Sequence, residues 1–432
     1  MRKILNVTIP DLYTIFKQYP SVQTDTRKLK SGDIFFALKG PNFNANAFAF
    51  QALESGAAYA VVDEDLHTDD QRIIKVDDVL TALQDLAKYH REQFSIPFIG
   101  ITGSNGKTTS KELIYAVLAS HYTTYTTQGN LNNHIGVPLT LLSVKPDAAM
   151  AVIEMGANHQ KEIEGYCRYT QPTHGLITNC GKAHLEGFGG VEGVRKGKGE
   201  LYDFLRANHG TAFVYADYDY LQPMSKGIEQ IVKYGMSDGL VQGNILSNEP
   251  FIEVNITAGM ERVSSIKTQL VGDYNLPNIL CAVAIGKYFS VPEEKIKSAI
   301  ENYAPSNSRS QLIQRGTNAI ILDAYNANPT SMKAAIENFA HLSASKKVLM
   351  LGGMMELGAE SIEEHIGIAN LIKQYHWDEV VLVGGDFAKI DHGFTYFPNS
   401  TEAKTWFDLQ GFENTHILIK GSRSMQMERI LG

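Results

Sequence analysis

Residues 102–109 read Thr-Gly-Ser-Asn-Gly-Lys-Thr-Thr, set between an apolar run that suits a strand (Ile96 to Ile101) and a run that suits a helix (Lys111 to Ala119). A glycine-rich turn from strand to helix lets backbone N–H groups close around phosphate oxygens, and the helix N-terminus adds partial positive charge. Gly103, Ser104, Asn105 and Gly106 would form that cradle of a nucleotide, continued by Thr109. Lys107 would reach the β- and γ-phosphates and the Thr108 hydroxyl would take a place on Mg²⁺. The general P-loop pattern places a glycine five residues before Gly106, where Ile101 stands; glycines fall instead at 100 and 103. A tight turn with a solvated lysine is the competing interpretation, and the flanking strand and helix argue against it. Glu154 closes another apolar run, Met150 to Ile153, in the manner of a metal-binding acid; its alternative is a solvated strand-end carboxylate.

The elements that must position these residues fall into three units, giving an α/β fold with three domains. Residues 1–93 hold a strand pattern at Asp33 to Leu38, an alanine-rich helix pattern at Ala45 to Ser55, a strand at Ala58 to Val62 and a helical stretch over Val79 to Gln93, a small N-terminal α/β domain. Residues 94–304 carry short apolar runs, Met150 to Glu154, Gly175 to Thr178 and Thr211 to Tyr215, between helical segments, which implies a central P-loop ATPase domain on a mostly parallel sheet. Such sheets bind ligands at the carboxyl ends of their strands, where the P-loop, Glu154 and Asn179 fall. Ala304 to Ser308 reads as a linker. Beyond it, Ala319 to Leu322, Lys347 to Leu351, Glu379 to Val383 and His416 to Ile419 alternate with helices, a C-terminal Rossmann-like domain over 305–432.

Composition narrows the class. With 432 residues, 44% hydrophobic and 20% charged, the chain is an ordinary globular protein large enough for interdomain clefts. A net charge of -8 argues against nucleic acid as its main partner. Cys167, Cys180 and Cys281 form no Cys-x-x-Cys pair, so buried thiols are expected rather than a disulfide framework or a zinc site. The stretch Ile4 to Ile15 is broken by Asn6, Pro10 and Asp11 and lacks a secretory apolar core, and no window approaches a spanning helix. The expectation is a cytoplasmic protein without membrane insertion, with monomer the preferred state.

Further segments carry a resemblance. Asp25-Thr26-Arg27 and Ala37-Leu38-Lys39-Gly40, the P-loop, Gly129-Asn130-Leu131-Asn132-Asn133-His134, Glu154-Met155-Gly156-Ala157-Asn158-His159, Ala183-His184-Leu185-Glu186-Gly187, Asp323-Ala324-Tyr325-Asn326-Ala327-Asn328-Pro329 and Lys420-Gly421-Ser422-Arg423 occur in one order along the chain. Together they resemble the Mur ligase family, ATP-dependent amide-forming enzymes of bacterial cell-wall precursor synthesis, whose P-loop also lacks a glycine at the position of Ile101. Within it the chain most resembles the members that add D-alanyl-D-alanine to UDP-N-acetylmuramoyl-tripeptide. There is no Asp-Asn-Pro-Arg segment of the kind found in the sister ligase that adds a diamino acid. Single-amino-acid-adding sisters, a folylpolyglutamate-type ligase and, from another class, a P-loop nucleotide switch are the alternatives.

Joining a carboxylate to an amine in water is uphill, and a P-loop exposing the γ-phosphoryl favours an acyl-phosphate with ADP leaving. Carboxylate and γ-phosphate are both anions, so cations must be aimed between them. The resemblance implies ATP and Mg²⁺ as cofactors, with His184 on a second Mg²⁺. It also implies a lysine at Lys198, within Arg195 to Tyr202, similar to those carbamylated by CO₂, a reaction that needs the neutral amine. Gly197 and Gly199 flank it and weaken a helix by about 1 kcal/mol each. His184 or a phosphate oxygen would take the ammonium proton. Asn278 would face adenine, its alternative being a helix cap, and Arg309 and Asp323 would come from the third domain to the phosphate and ribose, completing the site on closure. Thr24, Asp25, Thr26, Arg27 and Lys39 would hold the UDP end, or serve only as turn residues and surface charges. Tyr325, Asn326 and Asn328 would lie near the dipeptide, although Asn-Pro also starts helices. Two departures stand out: Asn42 to Asn46 replaces a stretch with aspartate and histidine, and Gly353 stands where an aspartate is common, with Glu356 and His365 as candidate substitutes.

Overall fold

The computed structural model describes residues 7–306 and 308–432. Residues 1–6, which include Ile4 to Asn6 of the stretch without a secretory apolar core, and Asn307 of the expected linker lie outside the described residues. Alternating apolar runs and amphipathic helices build three main sheets. The first has four parallel strands in the order Val22–Gln23, Ile34–Phe36, Tyr59–Val62, Ile73–Lys75. The helix expected over Ala45 to Ser55 is shorter. Asn44 Oδ1 accepts the Asn46 N–H at 3.0 Å and caps a 3₁₀ turn, Ala45–Phe48, before the α-helix Ala49–Glu54 begins.

The helix Val79–Arg91 starts where Asp78 accepts the Thr81 N–H at 2.7 Å. It bolts the first domain to the second: Arg91 donates to the carbonyls of Thr170 and Gln171, both at 2.9 Å, and lies 3.8 Å over the Phe98 ring. The second sheet has nine strands in the order Ser265–Lys267, Glu253–Ala258, Val241–Ser247, Gln230–Gly235, Thr211–Tyr215, His174–Ile177, Phe98–Thr102, Met150–Glu154, Thr124–Thr126. Phe98–Thr102, Met150–Glu154 and Thr211–Tyr215 are buried throughout, as strands of a parallel sheet covered on both faces must be. The sheet is parallel from Thr124–Thr126 across to Val241–Ser247, and the two strands beyond add an antiparallel edge.

Gly100 and Gly175 face each other in register on neighbouring strands. A Cβ there would lie 3.3 Å and 3.1 Å from the Leu201 methyls, so the bare backbone lets the helix Val191–Ala207 sit close against the sheet. That helix runs unbroken through both glycines flanking Lys198. A Cβ at Gly197 would meet the Phe188 ring at 2.4 Å, so packing explains that glycine.

The third sheet, in the order Gln311–Arg315, Asn318–Asp323, His416–Lys420, Lys347–Gly352, Glu379–Val383, Thr395–Phe397, is parallel except for its first strand. Its core packs Ile320, Val348, Met350, Val381, Ile417 and Ile419. Among the described residues no helix is long and apolar enough to cross a membrane. The three cysteines are free and buried.

Candidate active site

The P-loop leaves the strand Phe98–Thr102 and enters the helix Lys107–Ala119, which begins four residues before the expected Lys111. Gly106 makes the earlier start workable: it stands before the helix in the left-handed region (φ 79), and a Cβ there would meet the Asn278 side chain at 2.7 Å. Gly103 has no room either, since its Cβ would fall 1.9 Å from Thr178 Oγ1. No side chain caps the helix, so its first N–H groups are left to a ligand in the cleft. The loop is braced from the adjoining strand end: Asn179 Oδ1 accepts from Asn105 N, and Thr178 Oγ1 donates to the Asn105 carbonyl at 2.6 Å.

Ser104 to Thr109, Glu154, His184, Asn278, Arg309, Asp323, Tyr325 and Asn326 all line one cavity of about 590 Å³ between the second and third domains. Lys107 folds back, donating to the Gly103 carbonyl at 2.6 Å. Its enclosure by protein brings its pKa down to about 8, opposed by Glu154 and assisted by the Arg309 cation. Arg309 stacks 3.6 Å over the Tyr325 ring. Asn278 is not a cap but lies inside the helix Leu276–Tyr288, its Oδ1 accepting from Ser110 and its amide donating to Asn275.

Glu154 Oε1 accepts from Thr108 Oγ1 at 3.2 Å and Asn132 Nδ2 at 2.8 Å, while its buried Oε2 has no hydrogen-bond partner. A buried carboxylate oxygen left alone is unfavourable, and a cation beside it would satisfy it. No group of three His, Cys, Asp or Glu gathers into a metal cage among the described residues. One carboxylate and one hydroxyl at a phosphate cradle suit Mg²⁺, which takes much of its shell from water and phosphate oxygens.

Lys198 and Asn328 do not line the cavity but support residues that do. Lys198 is 1% exposed. It donates to the carbonyl of the lining residue Ala157 at 2.9 Å and lies 4.8 Å from the Phe188 ring centre. Burial, with the Lys107 cation as the second cause, holds its amine well below the usual lysine range. Asn328 caps the helix Pro329–His341 through the Ser331 N–H, and its Nδ2 also donates to Asn105 Oδ1 at 2.7 Å, joining the third domain to the P-loop.

Thr24, Asp25, Thr26, Arg27 and Lys39 stand apart; none lines this cavity. Asp25 accepts from Arg27 Nε and Nη2 at 2.9 and 2.8 Å, which holds its carboxyl down at about 2. Lys39 pairs with Asp63 at 2.8 Å and Glu64 at 3.0 Å. The replaced stretch is occupied by packing: Asn46 is buried and donates to Asp63. At the other departure, a Cβ on Gly353 would lie 2.7 Å from the Gly385 Cα, so no side chain fits. His365 does not substitute for an acid there. It is wholly buried, accepts the Met354 N–H at Nε2 and pairs through Nδ1 with the Ser361 carbonyl at 2.7 Å.

Two cavity residues were quoted in the motifs without a role. Lys420 pairs with Asp323 at 2.6 Å, because Asp323 and Lys420 are register partners at the ends of adjacent parallel strands. Asn132 holds Glu154. Strand-end position was the available signal for Lys420. Glu356, from the third domain, contacts His184 Nδ1.

The family descriptions "Mur ligase middle domain" and "Mur ligase, glutamate ligase domain" match residues 101–286 and 308–423. The chain is 37% identical to the UDP-N-acetylmuramoyl-tripeptide--D-alanyl-D-alanine ligase of Escherichia coli, over 95% of this chain and 92% of that one. It is 36% identical to the Bacillus subtilis enzyme of the same name, over 87% and 79%. Among solved structures, MurF from Acinetobacter baumannii superposes with a TM-score of 0.85 at 32% identity, covering 95% and 92%. MurF ligase from Thermotoga maritima in complex with ADP shares the fold with a TM-score of 0.85 at 24% identity, covering 95% and 96%.

Proposed function

We propose, from the premise that this chain belongs to the Mur ligase family, that it adds D-alanyl-D-alanine to UDP-N-acetylmuramoyl-tripeptide with ATP, releasing ADP and phosphate in peptidoglycan precursor synthesis. The observation that carries the assignment of roles is the single cavity in which Lys107, Thr108, Glu154 and His184 of one domain face Arg309, Asp323 and Asn326 of another. Residues 94–304 then act as the ATP-binding domain, 305–432 as the domain that brings the dipeptide, and 1–93 as the domain that holds the uridine end. It acts in the cytoplasm, as a monomer.

The N-terminus of the P-loop helix and Lys107 hold the β- and γ-phosphates, and Arg309 and Asp323 reach the phosphate and ribose. A terminal carboxylate oxygen of the tripeptide bonds to the γ-phosphorus, and the bond from that phosphorus to ADP breaks. The dipeptide amine then attacks the acyl carbon and phosphate leaves, with the amine's proton passing to His184 or a phosphate oxygen. Thr108 and Glu154 would hold Mg²⁺, which when bound neutralises phosphate charge; His184 and Lys198 would hold a second. The buried, unpartnered Glu154 Oε2 supports the first assignment. Burial lowers the pKa of the Lys198 amine and so favours its neutral form, which supports carbamylation, a change that would put an anion where that amine stands. Asn278 contributes an amide toward adenine, Tyr325 and Asn326 contact the dipeptide region with Asn328 bracing the P-loop behind them, and Thr24 to Arg27 with Lys39 contact the uridine diphosphate.

The test is ADP and phosphate release from Mg²⁺-ATP and the UDP-tripeptide, with and without D-alanyl-D-alanine, with the product weighed by mass spectrometry. One ADP per UDP-pentapeptide is expected. Turnover with a single amino acid on a shorter precursor, or hydrolysis independent of any amine, would overturn the reading.

A further inference from the structure

Tyr274 of the second domain and Ser310 of the third both line the cavity, and their hydroxyls pair at 3.0 Å. Ser310 in turn donates its N–H to Asp323 Oδ1 at 3.1 Å, while Lys420 holds the other oxygen, Oδ2, at 2.6 Å. A chain of bonds therefore runs from the second domain, through Ser310, to an acid of the third. The second-domain end of this chain is firmly held. Tyr274 stands in the 3₁₀ turn Asp273–Asn275, directly before the helix Leu276–Tyr288 that carries Asn278. Asn275 is buried and its amide donates to the Val271 carbonyl at 2.9 Å, and Asn248 donates to Asp273 at 3.0 Å. Gly272 is left-handed (φ 94), and a Cβ there would fall 2.3 Å from the Tyr274 ring, so bare backbone is what seats the ring. Enclosure by protein, with the Asp323 charge as the second cause, holds the phenol above the usual tyrosine range, so it stays protonated.

An ionised carboxylate has about four lone-pair sites, shared between its two oxygens. At Asp323 the Ser310 N–H occupies one on Oδ1 and Lys420 one on Oδ2, which leaves an acceptor on each oxygen for a ligand. Two acceptors side by side match a vicinal diol, and a ribose offers one at its 2′ and 3′ carbons. Resting on the function proposed above, we propose that Tyr274 is a positioning residue for nucleotide selection. Through Ser310 it sets the plane of the Asp323 carboxylate, so that both remaining acceptors face the ribose diol. The pairing crosses the domain boundary, so discrimination between ribose and deoxyribose comes with docking of the third domain.

The experiment uses the full-length enzyme and measures by calorimetry the binding of Mg²⁺-ADP and Mg²⁺-2′-deoxy-ADP. Wild type is compared with Tyr274→Phe, which keeps the ring, and Ser310→Ala, which keeps the N–H on Asp323. Wild type is expected to prefer ADP about 10- to 100-fold, the range for a hydrogen bond to a charged group. Each variant is expected to lose about 3- to 10-fold of that preference, the range for one neutral hydrogen bond. In turnover both should raise KM for ATP by a similar factor, with kcat and KM for the UDP-tripeptide within twofold. Added to Asp323→Asn, Tyr274→Phe should change the preference no further, because it acts through that acid. Tyr303→Phe removes another hydroxyl beside the linker, one bonded to Glu112 at 3.3 Å, and should leave the preference at its wild-type value. No preference in wild type, an undiminished preference in both variants, a further loss on top of Asp323→Asn, or an equal loss in Tyr303→Phe would overturn the proposal. Binding is read without precursor or dipeptide, so failure of D-alanyl-D-alanine-dependent turnover with the ADP preference intact would count against the proposed reaction alone.

Discussion

The cleft around the P-loop and the surface proposed for the uridine end are built in opposite ways. In the cleft, polar groups are enclosed and braced before any ligand arrives: Asn179 and Thr178 hold Asn105, and Asn328 ties it to the third domain. On the first domain the cations are exposed and satisfied by acids that are less so, with the Arg27 side chain 86% exposed and paired to Asp25. A preorganised cradle favours charge developing in a transition state, because nothing must reorganise when the phosphoryl group moves. Self-paired surface groups must instead exchange partners when a diphosphate binds, which favours recognition over catalysis.

Removing the Lys107 ammonium is therefore expected to have the largest effect. Lys107→Ala should lower kcat for ADP release by about 10²- to 10³-fold, the range for losing one aimed charge in an enclosed site. A loss of under tenfold would mean that the cradle is not where phosphoryl transfer occurs, and the comparison would fail. Lys198→Ala should follow with a loss of about 10- to 100-fold, the range for groups that support a metal site, and short carboxylates should restore part of the activity by standing in for a carbamate. Activity unchanged by the substitution would remove Lys198 from the site. At the first domain, Arg27→Ala should raise KM for the UDP-tripeptide about tenfold, while ATP affinity and Tm stay put. A fall in Tm would show that the Asp25–Arg27 pair is structural and that the two regions differ less than their exposure suggests.

The same contrast governs what could be read from sequence. The P-loop is contiguous, and its flanking strand and helix are strongly patterned, so its location was legible; only the helix start was misjudged, because left-handed Gly106 lets the helix begin at the lysine. The antiparallel edge of the second sheet was not legible. Val241–Ser247 mixes Gln, Gly, Asn and Ser with its apolar residues and is largely exposed toward its end, so it leaves no apolar run, and Ser265–Lys267 is three residues long. Partners made by pairing over long separations were hidden for another reason. Asp323 and Lys420 meet because their strands are register neighbours, and His184 meets Glu356 because two domains dock. In both cases the residues were visible and their adjacency was not. On the first domain Asp25, Arg27 and Lys39 could be singled out as charges, but their pairing with each other and with Asp63 and Glu64 is a property of the folded surface.

A smaller effect distinguishes the interior of the second domain from the first domain's surface by pH. His174 opens the strand His174–Ile177, with its ring among Phe213, Tyr288 and Phe289, and burial brings its pKa down to about 4. In the unfolded chain the imidazole titrates near 6.5. Between these values the unfolded chain binds a proton that the folded chain refuses, so this contribution to stability is fully present above about pH 6.5 and is lost as pH falls toward 4. At pH 5.5 the loss amounts to about 1.4 kcal/mol. Urea unfolding at pH 7.5 and 5.5, followed in wild type and His174→Phe, isolates it: the variant gives up the bond between Thr173 Oγ1 and His174 Nδ1 at both pH values but should lose about 1.4 kcal/mol less on acidification. An equal pH dependence in the two proteins would mean that the ring takes up its proton within the fold, through local opening of the strand's start, and that this end of the sheet is less rigid than the strand ends that carry the P-loop.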